Sequence, residues 1–230
     1  NNEIYSTSNG IYYKHSTDDG KISIIENNLI HDTSNWGILW SRSDGIIRNN
    51  IIYNAGTGIW VFEEASSCSD LVSKNNQLLH NTIVDAITGI YLSRSASCPG
   101  AVNTTVKDNL IYNFTNSDHH GFAIYSWYSG SDTSNTTFAN NLIYSSSFSS
   151  PIRVIGNYYT ITTIPSTVTG TGNIQQAPIF TDYTNKVFSL LSNSPGKNSA
   201  SDGKDMGADI TKVGQCPSCP VAINDLLIVK

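Results

Sequence analysis

An Asn followed two positions later by Ile marks six units of similar length in this chain. The Asn residues are Asn2, Asn28, Asn50, Asn81, Asn109 and Asn141, separated by 26, 22, 31, 28 and 32 residues. Their partners are Ile4, Ile30, Ile52, Ile83, Ile111 and Ile143. Eight or nine residues beyond the Asn, the first four units carry Gly-Ile: Gly10-Ile11, Gly37-Ile38, Gly58-Ile59 and Gly89-Ile90. The fifth has Gly121-Phe122 after an insertion, NSDHH, and the sixth keeps an apolar strand without the Gly. A repeat of this length restricts the chain to a solenoid, because one unit cannot bury its apolar face except against its neighbours.

The type of solenoid follows from the residues. Asn occurs 25 times, more often than Lys and Arg together at 13, and only 13% of residues are charged. Asn, Gly, Ser and Thr in such numbers, without a 3.6-residue apolar period, exclude helical repeats. A leucine-rich horseshoe lacks its Leu framework. What remains is a period-two alternation of inward and outward residues, which is a strand pattern. Stacked as parallel coils about 4.8 Å apart, equal positions become ladders: Ile in the core and hydrogen-bonded Asn amides at a bend. The Gly is expected to give a tight backbone turn before the next strand.

The totals exclude several function classes. A net charge of −5 without a basic cluster argues against nucleic acid, which needs a positive footprint. No run of 18 apolar residues exists to span a membrane. The chain opens on NNEIYSTSNGIYY, already mid-repeat, so further coils and a secretion signal are expected upstream.

The six-fold pattern resembles the right-handed parallel β-helix family, the architecture of pectate lyases and of many other polysaccharide-degrading or surface proteins. The closing stretches GNIQQAPIF and FSLLSNSPGKNSASDGKDMGADI are similar to the end of secreted bacterial β-helix proteins. The resemblance implies an all-β right-handed solenoid over residues 1–165, the last coils and a C-terminal cap over 166–213, and a tail over 214–230. It also implies an extracellular or cell-surface location and a polysaccharide partner, since fold alone does not set chemistry.

Four cysteines fit that compartment. Cys68 and Cys98 occupy matching places in consecutive coils, and Cys216 and Cys219 form CPSC, so two disulfides are expected, with four free thiols as the alternative. A zinc site is not expected, because the second Cys pair is missing. Asp118-His119-His120 is read as a loop, and no metal is assigned. Calcium at acidic bends such as STDDG is the one cofactor left open. Asn103, Asn113 and Asn135 head Asn-x-Thr sequons.

In the resembling proteins the strand after the Gly floors the substrate groove. Its first outward column here is Tyr12, Leu39, Trp60, Tyr91 and Ala123; the next is Lys14, Ser41, Phe62, Ser93 and Tyr125. At the following bend stand His15, Arg42, Glu63, Arg94 and Ser126. Tyr12, Trp60 and Tyr91 can stack on sugar rings, with Glu63 beside them. A lyase needs a base and a cation to neutralise a uronate, and Lys14, Arg42, Arg94 and His15 are the candidates. A glycosidase would draw on Glu63, Glu64, Asp44, Asp18 or Asp19, but no clustered Asp pattern appears. The opposing reading of Arg42, Glu63 and Arg94 is a stacked ion-pair ladder.

The residues flanking each core Ile define another feature. Tyr5, His31, Tyr53, Val84, Tyr112 and Tyr144 follow it; Glu3, Leu29, Ile51, Thr82, Leu110 and Leu142 precede it. Both columns alternate outward and make an apolar stripe, which the tail VAINDLLIV (221–229) or a second copy is expected to cover. Two functions follow. One is recognition of a polysaccharide, with cleavage by β-elimination if it is an enzyme. The other is a non-catalytic surface fibre or adhesin that self-associates through the stripe.

Overall fold

A computed structural model describes residues 1–14, 21–63, 73–94, 101–116, 120–124, 135–214 and 228–229. The chain winds into a parallel β-solenoid with three faces and no helix among the described residues. The strands Glu3–Lys14, Leu29–Ser41 and Ile51–Glu63 each run through the first and second faces, with register shifts at Thr7/Asn9 and Thr33/Trp36 where they bend. Later coils split the same course into two strands: Thr82–Val84 and Thr88–Arg94, Leu110–Tyr112 and Phe122–Ile124, Leu142–Tyr144 and Ile152–Val154. The third face is a six-stranded parallel sheet running from Ser23–Glu26 to Val168–Thr169.

The core is the predicted stack. Ile4, Ile30, Ile52, Ile83, Ile111 and Ile143 lie in register down the first face. The second face contributes Ile38 and Trp40, Ile59 and Val61, Ile90 and Leu92, Phe122 and Ile124; the third contributes Ile47, Leu78, Val106 and Phe138. Period-two alternation on three faces therefore fills one continuous apolar interior.

The Asn ladder occupies the corner between the third and first faces. Each side-chain oxygen accepts two bonds from the ladder residue one coil earlier. Asn81 Oδ1, for example, accepts the backbone N–H of Asn50 at 3.2 Å and its Nδ2 at 3.0 Å. The second amide hydrogen reaches a main-chain carbonyl, as from Asn81 to Ile47 at 2.9 Å. The ladder runs from Asn2 through Asn141 and continues to Asn173, whose Oδ1 accepts the Asn141 N–H at 3.0 Å. Asn173 escapes the repeat pattern because Gln175, not Ile, follows it two positions later, where the apolar core is ending.

The residue just before each ladder Asn has a different task at the same corner: Asn27, Asn49, His80, Asp108 and Asn140 hold left-handed backbone, with φ of 60, 52, 50, 60 and 51 degrees in turn. A second such column is Asp44, Asn75, Asn103 and Asn135, whose side chains bond one to the next at 2.9–3.0 Å. Asn and Asp tolerate this conformation better than other residues with a Cβ. The repeated glycines do something else. Gly37, Gly58 and Gly89 do not have positive φ; a Cβ on Gly58 would lie 2.6 Å from Ile83 Cγ2 and 2.7 Å from the Gly89 carbonyl. They are required by the close approach of successive coils, not by a turn.

The C-terminal region first completes the last coil, with Val168–Thr169 on the third face and Asn173 on the ladder. Residues 155–164 fold under the last coil, with Ile155, Tyr159, Ile161 and Ile164 against the core, and Asn157–Tyr159 pairs antiparallel with Ile152–Val154. After Asn173 the chain turns back along the outside of the first face. A hairpin of Phe180–Asp182 and Val187–Leu190 leads into a strap that contacts earlier and earlier coils. Gly207 N–H donates to Asp108 O at 2.8 Å, Ala208 N–H to Thr82 Oγ1 at 2.8 Å, Asp209 N–H to Asn49 Oδ1 at 2.7 Å and Gly214 N–H to Asn27 O at 3.1 Å.

This strap covers the apolar stripe. Ile51, Val84, Leu110 and Leu142 are buried in one cluster with Phe180, Phe188, Leu190, Met206 and Val213. The described cover is residues 180–213, while Tyr5 and Glu3 at the head of the stripe stay exposed. Of the tail 221–229, expected as the cover, 221–227 lie outside the described residues; Ile228–Val229 pair with Tyr12 and Tyr13.

Candidate functional site

The second face presents the predicted aromatic row. Tyr12, Leu39, Trp60, Tyr91 and Ala123 pair in register across successive coils, all on the outward parity of their strands. Trp36, which sequence spacing missed because it precedes the Gly, joins them at the bend. Its ring stands edge-on to Tyr12 at 6.4 Å and to Trp60 at 5.9 Å. Trp60 stacks on Tyr91 at 5.6 Å and leans on Phe62 at 5.1 Å. Its indole Nε1 donates to Ser93 Oγ at 2.7 Å, which sets the ring plane.

The row is half-closed. Tyr12, Trp36, Trp60 and Phe62 are partly exposed, whereas Leu39, Ser41, Tyr91, Ser93 and Ala123 are buried although they point outward. Two buried polar atoms here, Trp36 Nε1 and Ser41 Oγ, have no hydrogen-bond partner among the described residues. Lys14 is exposed at the end of the first strand, opposite Ser41.

The other candidates are not assembled around it. Arg42 and Glu63 follow Trp40 and Val61 on the inward parity, and are 4% and 1% exposed. The Arg42 guanidinium donates to Lys21 O at 3.0 Å and to the Tyr13 hydroxyl at 3.4 Å, and lies over the Tyr13 ring at 5.8 Å. Glu63 accepts the Ser73 N–H at 2.8 Å. Arg42 was expected as an open carboxylate clamp and Glu63 as a sugar contact; strand parity turns both side chains inward, where they are buried. Arg94 lies opposite Glu63 in register, but its side chain is outside the described residues. His15, Asp18, Asp19, Glu64, Asp118, His119 and the four cysteines, Cys68, Cys98, Cys216 and Cys219, also lie outside them. Asp44 belongs to a corner ladder, accepting Asn75 Nδ2 at 3.0 Å. His120 is buried, stacked on Phe148 at 4.4 Å and Tyr158 at 4.7 Å.

The ionisable groups shifted most clearly sit under the strap. Burial and a bond to Asp85 push the Tyr183 phenol up to about 12. Burial, then nearby carboxylates, raise Tyr53 and Tyr112. His31 and Asn54 bond to Asp32 and hold its carboxyl below its ordinary value. These groups lock the strap hairpin and its corner and lie on a different face from the aromatic row.

A family model for the right-handed β-helix region matches residues 1–163, well over half of the chain. The chain belongs to that family. No curated protein matches it. Among the described residues no helix is long and apolar enough to cross a membrane. The β-helix fold occurs in polysaccharide-degrading enzymes and in non-catalytic proteins, so the site must carry the function.

Proposed function

We propose that this β-helix protein recognises a polysaccharide outside the cell or at its surface, along the second face. One observation carries the reading: Tyr12, Trp36, Trp60 and Tyr91 form a continuous row across coils, with neighbouring ring centroids 5.6–6.4 Å apart. Such a row runs along the solenoid axis, and its partly exposed members Tyr12, Trp36 and Trp60 offer ring faces and edges to consecutive sugars of an extended chain, with the buried Tyr91 backing Trp60. Lys14 adds a cation at one end, suited to a uronate. Cleavage by β-elimination would draw its base and carboxylate clamp from Lys14, His15 and Arg94. Arg42, sealed against Tyr13, serves neither role.

Binding is tested by affinity electrophoresis against neutral and uronate polysaccharides. Trp60→Ala is expected to weaken binding about 10-fold, the worth of one lost stacking platform. Equal mobility of the native and Trp60→Ala chains on every polymer would refute recognition by this face. The same panel, followed by absorbance of an unsaturated product with and without calcium, tests elimination. A signal lost in Lys14→Ala would establish a lyase.

A further inference from the structure

A groove of about 800 Å³ runs between the strap and the corner that joins the third and first faces. One wall is the outward column Glu26, Arg48 and Leu79 of the third face. The other is strap residues 203–212, and the left-handed corner residues Asn27, Asn49 and His80 line the groove as well. It lies away from the aromatic row, and recognition by the second face makes no use of it.

The carboxylates of this groove are already engaged. Asp209 Oδ1 accepts the Thr211 N–H at 3.1 Å and its hydroxyl at 2.6 Å, and Oδ2 holds Lys212 at 3.1 Å. Asp205 accepts the Asn198 N–H at 3.1 Å and Lys197 Nζ at 2.8 Å. Glu26 accepts Arg48 Nε at 2.7 Å. The cations keep donors in hand. Among the described residues Arg48 donates from Nε alone, which leaves both Nη groups, and Lys204 meets only the carboxylate of Asp202. A guanidinium or an ammonium offers more donors than one carboxylate oxygen takes up.

We propose that the groove binds a sugar acid, a hydroxylated ring carrying one carboxylate. Three features select that class. The Nη pair of Arg48 is the fork that takes a carboxylate bidentately. Arg48, Lys204 and Lys212 match Glu26, Asp205 and Asp209 in formal charge, which suits one negative charge and disfavours a phosphate dianion or a polyanion. Leu79 and Ile210, both partly exposed, offer apolar contact to ring C–H groups, while the lining aromatic Phe188, 3% exposed, presents no ring face to a nucleobase.

The test titrates D-glucuronate, D-glucose and acetate into the full chain and follows amide and indole shifts by NMR. Glucuronate is expected to shift the Gly203, Gly207 and Lys212 amides saturably, at least about 10-fold more tightly than glucose or acetate, the worth of one bidentate charge-assisted contact. Arg48→Gln is expected to weaken it at least about 10-fold, and Lys204→Gln, on the opposite wall, about 3-fold. Unmoved amides at Ile52, Ile83 and Ile111 verify that both variants fold. Acetate bound as tightly as glucuronate would overturn the proposal, as would full affinity in both variants or no saturable shift with any probe. Shifts confined to the Trp36 and Trp60 indoles would overturn it too, while leaving recognition by the second face standing. A glucuronate-ended oligosaccharide separates two sources that both support the groove: binding as tight as the free acid assigns a polymer end, and exclusion assigns the free sugar acid.

Discussion

Asn does two separate jobs in this chain, and the residue scale separates them. The inward ladder Asn residues are fully satisfied in the interior: Asn81 accepts two bonds from Asn50 and donates to Asn109 Oδ1 at 3.0 Å and Ile47 O at 2.9 Å. Asn81→Ala removes the acceptor of the Asn50 backbone N–H and Nδ2 and the side-chain donor to Ile47 O and Asn109 Oδ1, in a buried corner. We expect a loss of about 3 kcal/mol, measured by urea unfolding, since each buried unmet group costs about 1–3 kcal/mol. Asn2→Ala, at the exposed head of the ladder, is expected to cost under about 1 kcal/mol in the same assay. The corner Asn and Asp residues instead supply left-handed backbone. Gly45 shows the packing constraint at its sharpest: a Cβ there would lie 2.1 Å from Trp40 Cζ2. Trp40 is pinned by bonds to Arg42 O at 2.8 Å and Asn76 Oδ1 at 3.0 Å and cannot retreat. Gly45→Ala is therefore expected to cost about 1–3 kcal/mol as overpacking.

At the scale of elements, the strap is the part that repeats cannot predict. Its hairpin docks through Tyr183 and Lys186 onto Asp85, with the Lys186 ammonium 3.3 Å from the carboxylate and 5.2 Å from the Tyr183 ring. The raised phenols set a pH dependence. Below the ordinary tyrosine value of 10.0, Tyr53, Tyr112 and Tyr183 are neutral in both folded and unfolded chains. Above it the unfolded chain releases protons first, so stability falls as pH rises, through to about 12 for Tyr183. Urea midpoints between about pH 9 and pH 11 should drop, and Tyr183→Phe should flatten part of that drop while lowering the midpoint at neutral pH.

The whole molecule couples its coils twice. A solenoid held only by neighbour contacts is quasi-one-dimensional and can fray coil by coil. The strap ties Asn27, Asn49, Thr82 and Asp108 to one segment, which makes distant coils cooperative. Asp108 is its central anchor, accepting the Ser201 N–H and hydroxyl at 2.7 Å each. Asp108→Ala is expected to convert one urea transition into two, seen as non-coincident fluorescence and circular dichroism curves. A single coincident transition in that variant would show that coil stacking alone supplies the cooperativity.

The sequence by itself determined the solenoid, its core and most of its Asn ladder, because stacking in register makes equal positions equal in environment, and a repeated environment writes a repeated residue. The aromatic row was legible for the same reason at Tyr12, Trp60 and Tyr91. What lay off the repeat was decided only by tertiary structure. Trp36 joins the row because a bend swings it there. Arg42 and Glu63 leave the groove because the inward parity of Trp40 and Val61 carries on to them at the strand ends. The stripe is closed by a segment about 100 residues distant from Val84, Tyr183 meeting Asp85 across 98 positions, a pairing that no local pattern encodes.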